Sequence, residues 1–399
     1  MKLRILPGRA HGTVAAPPSK SAAHRLLLAA ALARGESRIH GISESEDMRA
    51  TLGCLPALGA TFSREGTTVT VSGGGEPPAV RRFLCGESGS TLRFCIPPAL
   101  TGGESVFEGT ERLFARGIGV YETAFAGKGI LMEKAAKRIT LRGVLPPGDY
   151  EIPGNVSSQF ATGLLFALPR LAGGSTLTVR PPVESRPYID LTTDILGRFG
   201  VTVHETAPGV FQIPGGQFYM PGEHTAEGDW SNAAPLLALT ELGGNVCVTG
   251  LDGNSRQGDR VFPALAKKLR TPGAEIDVSA CPDLAPVLFA LAALQHGGEF
   301  TGTARLRIKE SDRAGSMKEE LARCGVRVEI GENRVSVSGG AHAPQTPFSA
   351  HNDHRIVMAL SLLCARFGGE IEGAEALNKS YPTYAADLRR LGLEVQDEV

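Results

Sequence analysis

Leu26-Leu27-Leu28-Ala29-Ala30-Ala31-Leu32-Ala33, then Arg34, then Gly35-Glu36-Ser37-Arg38-Ile39-His40-Gly41: an apolar run, a stop at glycine, and a short stretch of strand character. The same order returns at Gly102 with Ser105-Val106-Phe107, at Gly173 with Thr176-Leu177-Thr178-Val179, and at Gly243 with Val246-Cys247-Val248. Further copies open at Gly297 and Gly368, so the steps are 67, 71, 70, 54 and 71 residues. Recurrence at a fixed period marks a repeat architecture even where the copies share few residues.

Each copy has the same physical content. Apolar runs such as 26–33, 159–171 and 285–295 predict helices that end at glycine, which accepts the left-handed position after a helix without a Cβ penalty. A strand follows, then an amphipathic helix such as 189–199 or 317–324. Gly-Val or Gly-Ala then opens a hairpin, as in 326–330 with 334–338. The unit reads β-α-β-α-β-β, and six of them predict an α/β protein of two similar three-unit domains. The 54-residue step is short by about 16 residues near 270–282. There the stretch 275–278 reads as a first hairpin strand running almost directly into the next helix, so that unit's hairpin is expected to be lost or trimmed.

The totals exclude several classes. A formal net charge of −1 argues against a general nucleic-acid binder. Seven scattered cysteines without a CxxC pair suggest neither a zinc site nor a disulfide framework, and a reduced cytoplasmic location is expected. Residues 1–14 lack an apolar signal-peptide core, and the run 26–33 is far too short to span a bilayer, so no membrane association is expected.

Unusual residues gather where the first helix of each unit should begin: Ser19-Lys20-Ser21 with Arg25, Glu87-Ser88-Gly89-Ser90-Thr91 with Arg93, Ser157-Ser158-Gln159, Asp229-Trp230-Ser231-Asn232, Pro282-Asp283, and Asn352-Asp353-His354-Arg355. Ser, Asp and Asn there are ordinary caps. Lys20, Arg25, Arg93 and Arg355 are not, because a helix N-terminus disfavours cations unless an anion is present. Neither Pro17-Pro18-Ser19-Lys20-Ser21 nor Gly86-Glu87-Ser88-Gly89 has Walker spacing, so no ATP site is predicted. Arg307-Ile308-Lys309-Glu310-Ser311-Asp312-Arg313 packs five charges into seven positions, with Glu310 a candidate acid or base between cations. His351 and His354 invite a metal, but no further His or Cys cluster completes a site; no metal and no cofactor is expected.

Taken together, these motifs resemble the 5-enolpyruvylshikimate 3-phosphate synthases over essentially the whole chain. Those that carry the likeness are Ser19-Lys20-Ser21 with Arg25, Gly86-x-x-Gly89-Ser90-x-x-Arg93, Arg112 with Arg116, Ser157-Ser158-Gln159, Ser185-x-Pro187-Tyr188, Glu227-Gly228-Asp229, Asn254-Ser255-x-Gln257-Gly258-Asp259, Pro282-Asp283, Lys309-Glu310-x-Asp312-Arg313, Asn352-Asp353-His354-Arg355 and Lys379. The resemblance implies two inverse α/β-barrel-like domains of six βαβαββ units, one formed by 1–18 with 228–399 and the other by 19–227, with substrates held in the cleft between them. It implies transfer of the enolpyruvyl group of phosphoenolpyruvate to the 5-hydroxyl of shikimate 3-phosphate, with release of phosphate through a tetrahedral ketal, in the shikimate pathway to aromatic amino acids. Both substrates are small molecules, and a monomer is expected.

By the same resemblance, Lys20, Ser21, Arg25, Ser157, Ser158, Gln159, Ser185, Tyr188, Asp283 and Lys309 hold shikimate 3-phosphate. Lys20, Gly89, Arg116, Gln159, Arg313, Arg355 and Lys379 hold phosphoenolpyruvate. Asp283 takes the 5-hydroxyl proton, Glu310 with Lys20 protonates the methylene carbon, and His354 joins the catalytic group. Glu87 replaces the family's usual Asn, Gly117 its usual Pro after the arginine, and Arg305 another usual Asn; these departures bear on affinity. Gly89 implies sensitivity to glyphosate. The rival readings are the transferase acting on UDP-N-acetylglucosamine, which uses Lys-Asn and a loop cysteine where this chain has Lys20-Ser21 and a cysteine-free 112–117, and a non-catalytic relative that binds shikimate 3-phosphate.

Overall fold

Five of the six sheets in the computed structural model, which describes residues 1–398, have four strands in one repeated order. A short strand pairs in parallel with a second strand; in four of the five a hairpin then adds two antiparallel strands in reverse order, and in the fifth Lys2–Ile5 and Val395–Glu398 take those two places. In the segment 18–226 the order is Glu223–Thr225, Gly35–His40, Thr68–Gly73, Thr61–Glu65; then Val80–Gly86, Thr101–Gly109, Arg138–Val144, Leu131–Ala135; then Asp149–Pro153, Ser175–Arg180, Val210–Ile213, His204–Ala207. The chain divides into two compact units, Pro18–Ala226 and Met1–Pro17 with Glu227–Val399. Each has its own continuous apolar core.

The second unit repeats the pattern with one exception. Glu275–Asp277, Gly298–Thr301, Arg334–Val337 and Val328–Ile330 form one complete sheet; Phe348–Ser349, Gly369–Glu372, Lys2–Ile5 and Val395–Glu398 form another. The third sheet is only Asn245–Thr249 paired in parallel with His11–Ala15. The trimmed hairpin is therefore absent, as its short period predicts. The reading of 275–278 as a remnant of that hairpin is corrected: Glu275–Asp277 pairs in parallel with Gly298–Thr301 and opens the next unit.

The apolar runs are buried on every side. Residues 22–32 of the helix Lys20–Leu32, 285–293 of Ala285–Leu294 and 354–365 of His354–Phe367 are all buried. A helix apolar all round belongs inside a core, where each fully buried leucine contributes about 2 kcal/mol. The second helices are amphipathic: Arg186–Arg198 buries Ile189, Leu191, Ile195 and Leu196 and leaves its other face wet. Five of the six period-marking glycines have positive φ, from +79° to +129°. Gly173 is the exception, because the 3-10 turn Leu168–Arg170 ends that helix first. Among the described residues no helix is long and apolar enough to cross a membrane.

Candidate active site

Helix starts are built by side-chain caps. Ser19, Ser88, Ser157, Asp229, Asp312 and Asp353 each accept a backbone N–H of the helix they open. Of the four anomalous cations, Lys20 and Arg355 stand in a first turn. Arg25 and Arg93 lie about one turn further in, and Arg25 reaches back to donate to the Ser21 carbonyl at 2.7 Å.

In the unit 18–226, Lys20 Nζ is 2.8 Å from the Asp47 carboxylate. Arg25, 2% exposed, is held by neutral groups: Nε donates to Thr192 Oγ1 at 2.8 Å, and Nη2 to Thr162 Oγ1 at 3.2 Å and the Tyr188 carbonyl at 3.1 Å. Its guanidinium also lies over the Phe94 ring. Among the described residues no carboxylate pairs with it, and burial pushes its pKa down to about 9. A buried cation without a carboxylate is costly unless an anion arrives. Arg25 thus gathers Ser21 and Tyr188 around one charge.

A second group forms around Gln159. Arg93 Nη1 donates to Gln159 Oε1 at 2.6 Å, and Nη2 to the carbonyls of Arg116 and Gly117 at 3.2 Å each. Gln159 Nε2 donates to Ser90 Oγ at 3.0 Å, and Ser157 Oγ accepts the Gln159 N–H. Gly89 lies against Arg116: a Cβ there would stand 3.1 Å from Nη1 and 3.2 Å from Nη2. Gly117 has φ +76°, which proline cannot adopt, so the departure from the usual Arg-Pro changes the backbone itself. Glu87 is half-buried beside the Ser88 cap, and Ser158 is the buried first residue of its helix. Ser185 is buried with φ 53°, ahead of Arg186–Arg198.

In the other unit, Arg313 is 1% exposed and divides its guanidinium among three carboxylates. Nη1 reaches Asp283 at 2.7 Å, Nη2 reaches Glu310 at 2.9 Å, and Nε reaches Asp353 at 2.9 Å. Lys309 Nζ adds a contact to Asp283 at 3.2 Å, and Arg355 Nη2 approaches it at 3.9 Å. Lys309, Arg313 and Arg355 face Asp283, Glu310 and Asp353, so the cluster is electrically balanced. Burial alone would raise the Asp283 carboxyl, but Lys309, Arg313 and Arg355 outweigh it and hold it well below the usual range. Asp353 is lowered against its own burial, chiefly by Arg313. Burial lowers Lys309.

Arg355 Nη1 donates to Asn232 Oδ1 at 2.9 Å, while its Nε is buried without a partner. Lys379 Nζ donates to the Asn352 carbonyl at 2.8 Å. His354 is 2% exposed, with Nδ1 3.8 Å from Asp353. Arg305, the other departure, donates to the Ser279 carbonyl. Among the described residues only Ser185, His351 and Asn352 are non-glycine residues at positive φ; Ser185 and Asn352 fall in site motifs, and His351 directly precedes one. That conformation costs roughly 1–2 kcal/mol per residue and persists where its surroundings enforce it.

Asp47, Asn232 and Asp353 hold predicted cations; Asp47 was passed over, and Asn232 and Asp353 were read only as ordinary helix-start residues, since an acidic or amide side chain acquires that meaning only from its partner. A buried chain was also missed: His24 Nδ1 lies 2.6 Å from Thr51 Oγ1, Thr51 is 2.7 Å from Thr91 Oγ1, and Thr91 donates to Ser88 Oγ at 2.7 Å. It ties the helix of Lys20 to the cap of the Gly89 helix. Glu319, Glu320 and His351 offer ligand atoms within 4.8 Å of one another, a grouping that a count of His and Cys alone passes over. Arg323 lies 3.0 Å from Glu320, so the cluster already contains a cation.

The description EPSP synthase (3-phosphoshikimate 1-carboxyvinyltransferase) matches residues 6–276 and 264–388. A 3-phosphoshikimate 1-carboxyvinyltransferase of Clostridium kluyveri is 39% identical, with 98% of each chain covered. One of Clostridium acetobutylicum is 36% identical over 99% of this chain and 98% of its own. Among solved structures, an EPSP synthase from Acinetobacter baumannii superposes with a TM-score of 0.80 at 24% identity, covering 99% of this chain and all of that one. An enolpyruvyl transferase from Streptomyces tendae does so at 0.79 and 17%, covering 99% and 98%. Both share the fold. With more than a third of positions identical from end to end, the chain belongs to the EPSP synthase (3-phosphoshikimate 1-carboxyvinyltransferase) family.

Proposed function

We propose that the chain is a transferase that moves the enolpyruvyl group of phosphoenolpyruvate to the 5-hydroxyl of shikimate 3-phosphate and releases phosphate. The observation that carries this reading is the Arg313 cluster. Two carboxylates suited to proton transfer, Asp283 and Glu310, share one buried guanidinium and stand among Lys309 and Arg355.

Asp283 takes the 5-hydroxyl proton and Glu310 delivers one to the methylene carbon, giving a ketal; phosphate then leaves as Glu310 takes a proton back from the new methyl group, which restores the enol double bond. Asp283 is a weak base while three cations hold its pKa down. Each substrate brings a phosphate and a carboxylate, which draw Lys309, Arg313 and Arg355 away from it. Asp283 then gains basicity as substrate binds. Lys20, Ser21, Arg25, Ser157, Ser158, Gln159, Ser185 and Tyr188 hold shikimate 3-phosphate together with Asp283 and Lys309. Lys20, Gly89, Arg116, Gln159, Arg313, Arg355 and Lys379 hold phosphoenolpyruvate, and Lys20 and His354 join Asp283 and Glu310 in the catalytic group. The preorganised cations of these clusters stabilise the developing charge.

The test is phosphate release from shikimate 3-phosphate and phosphoenolpyruvate in EDTA-treated buffer. Turnover is expected. Release only when UDP-N-acetylglucosamine replaces shikimate 3-phosphate would overturn the substrate assignment, and binding of shikimate 3-phosphate without turnover would overturn the enzymatic one.

A further inference from the structure

The turn ahead of the helix His354–Phe367 is held from one side by a single helix. Glu320, 0% exposed on Arg313–Ala322, uses both carboxylate oxygens on it. Oε1 lies 2.8 Å from His351 Nε2, and Oε2 accepts the Ser349 N–H at 2.9 Å. At its other end the same helix places Arg313 on Asp353. Between these two grips lie His351 and Asn352, both left-handed at φ 49° and 55°. The Asn352 carbonyl then accepts Lys379 Nζ, and Asp353 Oδ1 accepts the Arg355 N–H at 2.9 Å.

We propose that His351 and Glu320 are positioning residues: their contact fixes the left-handed pair 351–352 and thereby aims Lys379 and Arg355 at phosphoenolpyruvate. This rests on the function proposed above.

His, like Asn and Asp, is enriched at such φ, so Asn would serve the backbone equally well. What His adds is reach to Glu320. Facing the ring are the carboxylates of Glu320 and, at 3.8 Å, Glu319; Arg323, at the helix end, opposes them. Lys379 approaches the same turn from the 3-10 segment Ala374–Lys379, at the neighbouring carbonyl. The hydrogen bond that His351 donates to Glu320 outweighs burial and raises the His351 pKa. The pair is therefore ionic below that raised pKa, and above it only a neutral imidazole is left to donate to the still-charged carboxylate. The latch weakens as pH rises.

The experiment compares the full chain with His351→Asn, which keeps the left-handed preference but cannot reach Glu320, and with Glu320→Gln. In the parent, KM for phosphoenolpyruvate rises through the His351 titration while kcat holds. In His351→Asn that KM is raised about tenfold and loses this pH step, with kcat within about twofold, the scale expected of a misplaced binding group. His351→Gln, which can still donate without charge, recovers most of the affinity but not the pH step. A parent-like KM and pH profile in His351→Asn overturns the proposal. NMR titration of the His351 ring gives an answer independent of turnover. A raised pKa in the parent that falls in Glu320→Gln supports the latch, and an ordinary pKa in both refutes it. A parent that is inactive on both substrates, yet shows the coupled titration, refutes the assigned reaction and leaves the His351–Glu320 contact standing.

Discussion

The ammonium of Lys20 rests 2.8 Å from the Asp47 carboxylate, each side chain about 15% exposed. A cation expected to meet an incoming anion is thus already engaged within its own unit. Asp47→Asn removes the competitor. It should tighten shikimate 3-phosphate binding by about 1 kcal/mol, roughly fivefold, the upper range for a partly exposed pair. Calorimetric titration checks this; an unchanged Kd would show that Lys20 does not face the ligand.

Glu310 shares Arg313 with Asp283 but has no other assigned task than proton transfer. Glu310→Ala is expected to cut kcat by about 10²–10⁴, the range for a lost general acid, with binding of shikimate 3-phosphate little changed. A rate within a few-fold of the parent would remove Glu310 from the chemistry.

A methyl group at position 89 would press on the Arg116 guanidinium at 3.1–3.2 Å, a flexible end that can yield by a few tenths of an ångström. Gly89→Ala should therefore fold normally and raise KM for phosphoenolpyruvate by about tenfold, with weaker inhibition by glyphosate. Steady-state kinetics with each substrate varied in turn separates this from a general defect, since KM for shikimate 3-phosphate is expected to hold.

Thr51 is the middle of the buried chain from His24 to Ser88. Thr51→Val keeps its shape but leaves His24 Nδ1 and Thr91 short of a partner, at a cost of about 1–3 kcal/mol. Burial and the nearby charges of Lys20 and Arg25 keep His24 neutral, so it cannot compensate by charging. Urea unfolding should show the loss, and Thr51→Ser should restore it. Full stability in Thr51→Val would mean that the chain of hydroxyls is not a structural tie.

Acid should weaken the Arg313 cluster. The folded-state pKa values of Asp283 and Asp353 are depressed, so their stabilisation is complete above the unfolded value near 4 and is lost as pH falls through the lower folded values. Urea midpoints measured from pH 7 down to 2.5 should stay level with respect to these groups until about pH 4 and then drop. In Arg313→Met the folded protein should be weakened already at neutral pH, by about 3–5 kcal/mol, because Asp353 is left buried and charged.

The repeat was legible because each apolar run is closed by a residue whose backbone freedom marks the stop, as at Gly243, Gly297 and Gly368. Gly173 shows the limit, since a proline-containing 3-10 turn did the same work there. Glu275–Asp277 was misread because a three-residue strand has no partner in its own vicinity; Gly298–Thr301 had to be found in space. The cations stood out at helix starts, where charge of that sign needs a reason. Their partners Asp47, Asn232 and Asp353 did not, since each looks like an ordinary surface or capping residue until the fold brings it to a guanidinium or ammonium. The strained pair 351–352 carries no glycine to announce it.

Lys2–Ile5 lies between Gly369–Glu372 and Val395–Glu398, and His11–Ala15 supplies half of a sheet with Asn245–Thr249. During synthesis these two segments emerge long before their neighbours exist, whereas the stretch 18–226 contains every strand of its own three sheets. Folding on the ribosome should then run inside out along the chain, with the middle settling first and the opening residues waiting, exposed to proteases and chaperones, for the closing ones.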